Sequence, residues 1–404
     1  FVREMFCQSM GYAVIYGGFT MAWKMTSVYF MFAIALLTMV FTVACGGVAD
    51  SGVGSLAQGR WSHSATILED GRVLVTGGHG TSSNSLTSAE VYDPSTNAWS
   101  SAGDMADKRP EGHTSTLLPD GKVLVIGGKK APEVYDPSAN SWSTTALLTD
   151  PRMRHAATLL DDGRVLVTGG RDMTKAGDQK LDSVELYDPS TGEWSLATPM
   201  LEERSDHGAA LLPDGRVLVV SGFSRGQEFK YSAGTYDPST ETWSPAGAPA
   251  KERESAFTIT ATADGKVIVT GGRFSSGGTY GKWITMSNVD IYDSSTGTWS
   301  AGAPMTEVRA KHAAVLLTDG KVLVVGEQVA ESYDLASGAW VPAGEMTIDH
   351  IEGVTGTLLK DGRVLIVGGR QDSEKDIQRL QVGGTGMTVA EIYDPASGWL
   401  IAEN

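Results

Sequence analysis

Five histidines recur at one position: His63, His113, His155, His207 and His312 each lie seven residues before an Asp-Gly pair. Two further units hold Phe257 and Val354 there. Three or four residues upstream come Arg60, Arg109, Arg152, Arg204, Arg253 and Arg309, with His350 in the arginine's place in the last unit. Imidazoles that titrate near neutrality suit proton transfer, and guanidinium groups suit a carboxylate. Gathered round one opening, they would form an anion-binding funnel, a basic mouth on a chain of formal net charge −16. The plainer role is structural. A lane present in nearly every unit is first a feature of the repeat, bonding loop carbonyls and neighbouring units. No metal site and no cofactor are expected, because the histidines fall in different units and lack close-pair spacing.

A second group is aromatic. Phe274, Tyr280, Lys282 and Trp283 share one glycine-rich stretch, and Phe229 and Tyr231 share another. Exposed rings beside a cation can stack a sugar or anchor a peptide. The plainer role is to pack loops onto the scaffold. The catalytic signatures HExxH and a helix-opening GxGxxG are missing, and no GxSxG elbow between a strand and a helix is expected.

These residues hang on an internal repeat. Each unit reads apolar run, Asp-Gly, basic residue, apolar run, glycine pair. The turn aspartates are Asp70, Asp120, Asp162, Asp214, Asp264, Asp319 and Asp361, spaced 42 to 55 residues apart. The glycine pairs are Gly77-Gly78, Gly127-Gly128, Gly169-Gly170, Gly271-Gly272 and Gly368-Gly369. The fourth unit has Ser221-Gly222 and the sixth Gly326-Glu327. A Tyr-Asp follows in every unit, and a Trp beyond it: Trp99, Trp142, Trp194, Trp243, Trp299, Trp340 and Trp399. Asp-Gly between apolar runs predicts a short hairpin with a type I′ turn. Asp-Pro-Ser-Thr followed by Gly or Asn predicts a second hairpin, with Pro presetting φ and Gly or Asn in the left-handed position. Each unit therefore carries four strands, a to d. One such sheet cannot bury both faces alone, but a closed ring of seven can.

Segment lengths point to a working face. The a–b and c–d hairpins are short and uniform, whereas the separation from turn Asp to Tyr runs 22, 15, 25, 22, 28, 14 and 32 residues. In an up-and-down sheet the b–c and d–a links share one rim. The long b–c links are His79–Ser88, Arg171–Ser183, Phe223–Ala233, Arg273–Asn288 and Arg370–Val389. Variable links on a rigid scaffold are where binding sites sit. The candidate binding rim thus holds Trp283, Tyr280, Lys282, Phe274 and Tyr231, joined by Arg152, His155, Arg204, His207, Arg309 and His312.

The glycine pairs and the Tyr and Trp lanes, in seven units over residues 60–404, resemble the kelch-repeat family. The resemblance implies an all-β, seven-bladed β-propeller with four antiparallel strands per blade. Kelch propellers include copper-radical oxidases such as galactose oxidase, which need a Cys cross-linked to a metal-ligand Tyr. The only cysteines here are Cys7 and Cys45, so residues 46–404 cannot supply one. A kelch-type sialic-acid epimerase is the enzymatic rival, using the Arg/His funnel. An envelope scaffold without a small ligand is a third reading. The expected function is a binding module for a protein or glycan.

Composition agrees with many short strands. Gly makes up 49 of 404 residues and charged residues only 20%, against a usual Gly share of ~7%. The acidic balance argues against nucleic acid, which calls for a basic face. Lys24 and the uncharged run Thr26–Ala44 precede Cys45-Gly46-Gly47. That order resembles a bacterial lipoprotein signal, with Thr42 departing from the preferred residue. Cys45 would then be the lipidated N-terminus of an extracytoplasmic, membrane-anchored protein. A signal anchor and a plain secretory signal are the alternatives. Residues 1–45 are thus read as extension and export signal, 46–59 as a flexible tether.

Overall fold

The computed structural model describes residues 53–400, apart from 83, 173, 175–178, 225–231, 277–281, 351 and 372–384. Cys45, Tyr231 and Tyr280 lie outside the described residues.

Seven sheets each contain four antiparallel strands in chain order, so every blade is one contiguous segment. Blade 1 uses Ser64–Ile67, Val73–Thr76, Ser88–Asp93 and Ala98–Asp104 as strands a to d. Blade 3 uses Ala156–Leu159, Val165–Thr168, Val184–Asp188 and Glu193–Ala197. Strand a of each blade packs against strand a of the next, and Ser64–Ile67 meets Glu352–Leu358 to close the ring. The fold is the seven-bladed β-propeller expected from the repeat.

Strand b reads Val-Leu-Val-Thr or close to it, and both of its faces are buried, as in Val73–Thr76. This apolar doubling follows from the architecture. Leu74 packs toward blade 2 with Val123 and Tyr135, while Val73 and Val75 pack toward blade 7 with Leu365 and Val367. Every junction between blades carries such a shared cluster. The Tyr lane enters these clusters, and each Tyr lies 5.0–5.2 Å from its own blade's Trp. The Trp indoles then reach the preceding blade: Trp142 donates to Ala102 O at 2.7 Å, Trp299 to Ala246 O at 2.8 Å and Trp340 to Ala303 O at 2.8 Å.

The c–d turns follow expectation. Asn97, Asn140, Gly192 and Gly297 take positive φ at the last turn position, and Asp93 accepts from the Ser95 N–H at 2.9 Å. The a–b turns do not. Only the glycine has positive φ: Gly71 lies at +91° while Asp70 does not. Gly71 N donates to Leu68 O at 2.9 Å and Leu68 N to Arg72 O at 2.8 Å. That is a type I turn followed by a left-handed glycine, the three-residue hairpin rather than the two-residue type I′. Asp70 earns its place by accepting from the Arg72 N–H at 3.0 Å and the Arg72 Nε at 2.7 Å.

The expected tether is also corrected. Of that stretch, residues 53–59 are described. Val53 and Leu56 are buried among Leu359, Leu365, Val367 and Ile392 of blade 7 and Tyr92 of blade 1. Leu56 N donates to Thr388 O at 2.8 Å and Arg60 N to Met387 O at 3.0 Å. Residues 53–59 thus seal the junction between the first and last blades. Two apolar side chains within a Gly/Ser-rich stretch were enough to tie it down.

Candidate functional site

The arginine lane lies in the wall of the propeller, not at an open mouth. Arg60, Arg109 and Arg253 have no exposed surface, and Arg152, Arg204 and Arg309 are buried. Each guanidinium donates to the carbonyl of the first residue of its own blade's glycine pair: Arg60 to Gly77 O at 3.1 Å, Arg109 to Gly127 O at 2.5 Å, Arg152 to Gly169 O at 3.0 Å, Arg204 to Ser221 O at 3.1 Å. Arg309 donates likewise to Gly326 O. An acid on strand c neutralises it: Glu90 at 2.7 Å from Arg60, Glu133 at 2.6 Å from Arg109, Glu185 at 2.5 Å from Arg152, Glu331 at 3.4 Å from Arg309. Asp290 pairs with Arg253. In blade 7, His350 bonds Gly368 O and lies 2.8 Å from Glu391, taking the arginine's part. The structural role of the lane holds and the anion funnel does not. Sequence reading missed these acids, although one stands two residues before the Tyr in six of seven units.

The histidine lane stitches each blade to the one before it. The Nε2 of His63 meets Thr355 Oγ1 at 2.7 Å, that of His155 meets Thr114 Oγ1 at 2.9 Å, and that of His207 meets Thr168 Oγ1 at 2.8 Å. His113 reaches Thr76 Oγ1 at 3.1 Å and His312 reaches Thr270 Oγ1 at 2.9 Å. Burial, aided by the neighbouring arginine charges, holds these rings neutral. His207 and His312 are pushed down to about 3, and His113 to about 4. His63 and His155 lie well below the ordinary value for the same reason. None of these rings is placed to shuttle protons at the mouth, as an epimerase would require.

This burial has a consequence for acid stability. In the unfolded chain the imidazoles gain protons below pH ~6.5, while in the fold they stay neutral far lower. The unfolded state therefore binds more protons, and stability present above pH ~6.5 is lost as the pH falls, by up to ~1.4 kcal/mol per unit for each histidine. Tm is expected to change little from pH 7.5 to ~6.5 and to drop from there to pH 5, and His207→Gln to give a shallower slope. A flat profile over that range contradicts neutral burial.

What lines the mouth is the residue just before the histidine lane. Ser62, Gly112, Arg154, Asp206, Ala256, Lys311 and Gly353 all have positive φ. Their backbones run into one another round the axis. Ser62 N donates to Gly353 O at 2.8 Å, Gly353 N to Lys311 O at 3.0 Å, Lys311 N to Ala256 O at 2.9 Å, Asp206 N to Arg154 O at 2.9 Å and Arg154 N to Gly112 O at 2.7 Å. The side chains form a mixed-charge plug. Arg154 lies 2.9 Å from Asp206 and 3.4 Å from Glu111. Lys311 of blade 6 lies 3.0 Å from Glu111 of blade 2, spanning the axis, and 3.7 Å from Glu352. Burial would raise the Glu111 carboxyl, but Lys311 and Arg154 beside it hold it below its usual range. Glycine at this position in blades 2 and 7 was the sequence signal for the ring.

The open chemistry sits on the b–c rim of blades 3 to 5. The link of blade 3 folds back as Arg171–Asp172 against Gln179–Lys180. In blade 5, strand b runs on to Ser275, and Trp283–Thr285 pairs with it, setting Trp283 opposite Ser275 and Ile284 opposite Phe274. Lys282 is exposed at the hairpin end, where its carbonyl accepts from Ser276 N at 3.1 Å. Trp283 is 43% exposed. The Arg273 guanidinium lies 4.8 Å from its ring centroid, and Phe223 of blade 4 meets it edge-on at 5.7 Å. Arg171 and Lys180 flank Phe223 at 5.7 and 5.8 Å. Three neighbouring blades thus contribute two rings and three cations to one patch. Such a patch can hold an apolar side chain beside an acidic group. Of the aromatic residues expected there, Trp283 and Phe274 are in place, and Phe223 was missed as a partner.

The KLHDC2/KLHL20/DRC7 Kelch-repeats domain matches over residues 112–327, and the Kelch motif over residues 69–106. The chain belongs to the kelch-repeat family. Among solved structures, this kelch propeller is similar to a fungal alcohol oxidase described as having catalytic diversity among the AA5 family, in complex with copper. The TM-score is 0.64 at 20% identity, covering 86% of this chain and 76% of the other. That likeness shows the fold alone. No three His, Cys, Asp or Glu side chains gather as a metal-holding group among the described residues of the kelch propeller. Among curated proteins, none matches the chain.

Proposed function

We propose that this kelch propeller, a fold that supports a binding or scaffold module, recognises a protein partner through the b–c rim of blades 3 to 5. The observation that carries the reading is the Trp283 patch. A large ring is left exposed beside Arg273 of its own blade and Phe223 of blade 4, which Arg171 and Lys180 of blade 3 flank in turn, while the arginine and histidine lanes are engaged within the wall. On a chain of net charge −16, the local cations Arg171, Lys180 and Arg273 favour a partner that sets an acidic residue beside an apolar one. A glycan is the rival occupant. Pull-down with the intact chain, run beside a glycan array, distinguishes them.

Trp283→Ala is expected to weaken capture of the identified partner by ~2 kcal/mol or more, with little change in Tm. Suppose that variant keeps full capture while substitutions in the c–d turn at Pro189-Ser190-Thr191 abolish it. Then the opposite rim is the working face.

We further propose that the propeller is held outside the cytoplasm by lipid on Cys45, the reading supported by the basic residue, apolar run and Cys of the N-terminal segment. Cys45→Ser is expected to release the protein from the membrane fraction or to block its maturation. A Ser variant that stays membrane-bound at full size points to a signal anchor instead.

A further inference from the structure

Six blades place an acid on strand c, two residues before the Tyr: Glu90, Glu133, Glu185, Asp290, Glu331 and Glu391. Each acid does two things. It pairs with the arginine of its blade, or with His350 in blade 7, and it caps a backbone N–H of the segment leading into strand a. Ala57 N donates to Glu90 at 2.7 Å, Ala106 N to Glu133 at 2.7 Å, Thr149 N to Glu185 at 2.9 Å, Ala250 N to Asp290 at 3.0 Å, Thr306 N to Glu331 at 3.1 Å and Thr347 N to Glu391 at 2.9 Å.

Blade 4 has Gly234 at this position, yet the rest of the socket is kept. Blade 3 is the internal control. There Arg152 bonds Ser183 Oγ at 3.1 Å, Ser183 Oγ donates to Asp150 at 3.0 Å, and Glu185 sits inside them at 2.5 Å from the guanidinium. In blade 4, Arg204 bonds Ser232 Oγ at 2.8 Å, and Ser232 Oγ donates to Glu202 at 3.0 Å. Glu202 lies 3.3 Å from Arg204. Glu202 is thus the counterpart of Asp150, the outer acid, and the inner acid alone is missing. Asp150 and Glu185 together show that this socket accepts two carboxylates.

Where the inner side chain would lie there is a cavity of about 210 Å³. Its polar lining is Arg204, its partner Glu202, Ser232 and Gly234, and its apolar lining includes Met200, Val219 and Trp243. Backbone crowding does not explain the glycine, since a Cβ at Gly234 would meet nothing nearer than Ser244 O at 3.5 Å. A void of ~150 Å³ takes a benzene ring, so this one has room for a short acid. An Arg buried to this degree with a second carboxylate position vacant beside it is a site for a charge-assisted bond.

We propose that the blade 4 cavity binds a small aliphatic monocarboxylate. Its carboxylate takes the place of the missing strand-c acid on Arg204, and its tail lies against Val219, Met200 and Trp243. This site is separate from the Trp283 patch and stands whether or not the rim binds a protein.

The test titrates the full chain with isovalerate and, in parallel, with isovaleramide, followed by calorimetry. Saturable one-to-one binding of the acid, at least tenfold tighter than the amide, is expected. Gly234→Glu restores the missing side chain in place, so it is expected to raise Tm and to weaken isovalerate binding at least tenfold. Should that variant fail to fold, Gly234→Leu blocks the same volume and carries the same expectation for binding. No binding by the wild-type chain, equal binding of acid and amide, or undiminished binding by the filled variant each overturns the proposal.

Discussion

Glu185→Ala is expected to destabilise the propeller by ~3–5 kcal/mol, among the largest effects of any single substitution. The carboxylate is 1% exposed and accepts from Arg152 at 2.5 Å and from the Thr149 N–H at 2.9 Å. Removing it leaves a buried guanidinium with its main counter-charge gone and an N–H uncapped. The cost lies in the orphaned charge rather than in the net worth of the pair. The double variant Arg152→Met with Glu185→Leu should therefore recover most of the loss in chemical denaturation. If the double variant is as unstable as the single one, packing and not charge governs the site.

A loss of similar size is expected at the glycine pair. Gly169 has φ of +55°, and a Cβ there would lie 2.5 Å from Arg204 O and 2.8 Å from Met200 Cε. The strand has to turn where the next blade presses on it, and no side chain fits between. Gly192, in a c–d turn, has φ of +75° with nothing within 4 Å of a Cβ. Gly192→Ala thus measures backbone strain alone, ~1–2 kcal/mol, whereas Gly169→Ala adds a clash with backbone that cannot move. The second is expected to exceed the first by several kcal/mol of unfolding free energy. Equal effects would mean that the blades part readily at this contact.

The ring of blades was legible in the sequence because a repeat declares its own register. Strand b of blade 3, Val165–Thr168, falls between the Asp162-Gly163 turn and the Gly169-Gly170 pair that mark the repeat. The Asp-Gly turns misled because the dipeptide suits two hairpin types, and only the count of residues between paired strands separates them. The lanes of Arg152 and His155 left a structural role and an anion funnel both open, for a different reason. Spacing shows that a residue recurs, not whether it faces the axis or the adjacent blade. That depends on Glu185 and Thr114, which come from other strands and another blade. At the rim, Trp283 was found because loop length and ring type both mark it. Phe223 was not paired with it, since two loops of separate blades meet only in three dimensions.

The seam between the last and first blades bears on how this molecule carries load. Every blade is a contiguous piece of chain, so among the described residues no strand from the N-terminal end is woven into the last blade's sheet. What bridges the seam along the backbone at this end is residues 53–60, held to blade 7 through Thr388 and Met387. Tension applied from residue 52 is delivered straight to those two hydrogen bonds and to Val53 and Leu56, before it reaches any four-stranded sheet. The latch and the pulling point coincide, and a tug at the N-terminal side acts first on residues 53–60, ahead of the strand and side-chain contacts that also close the ring.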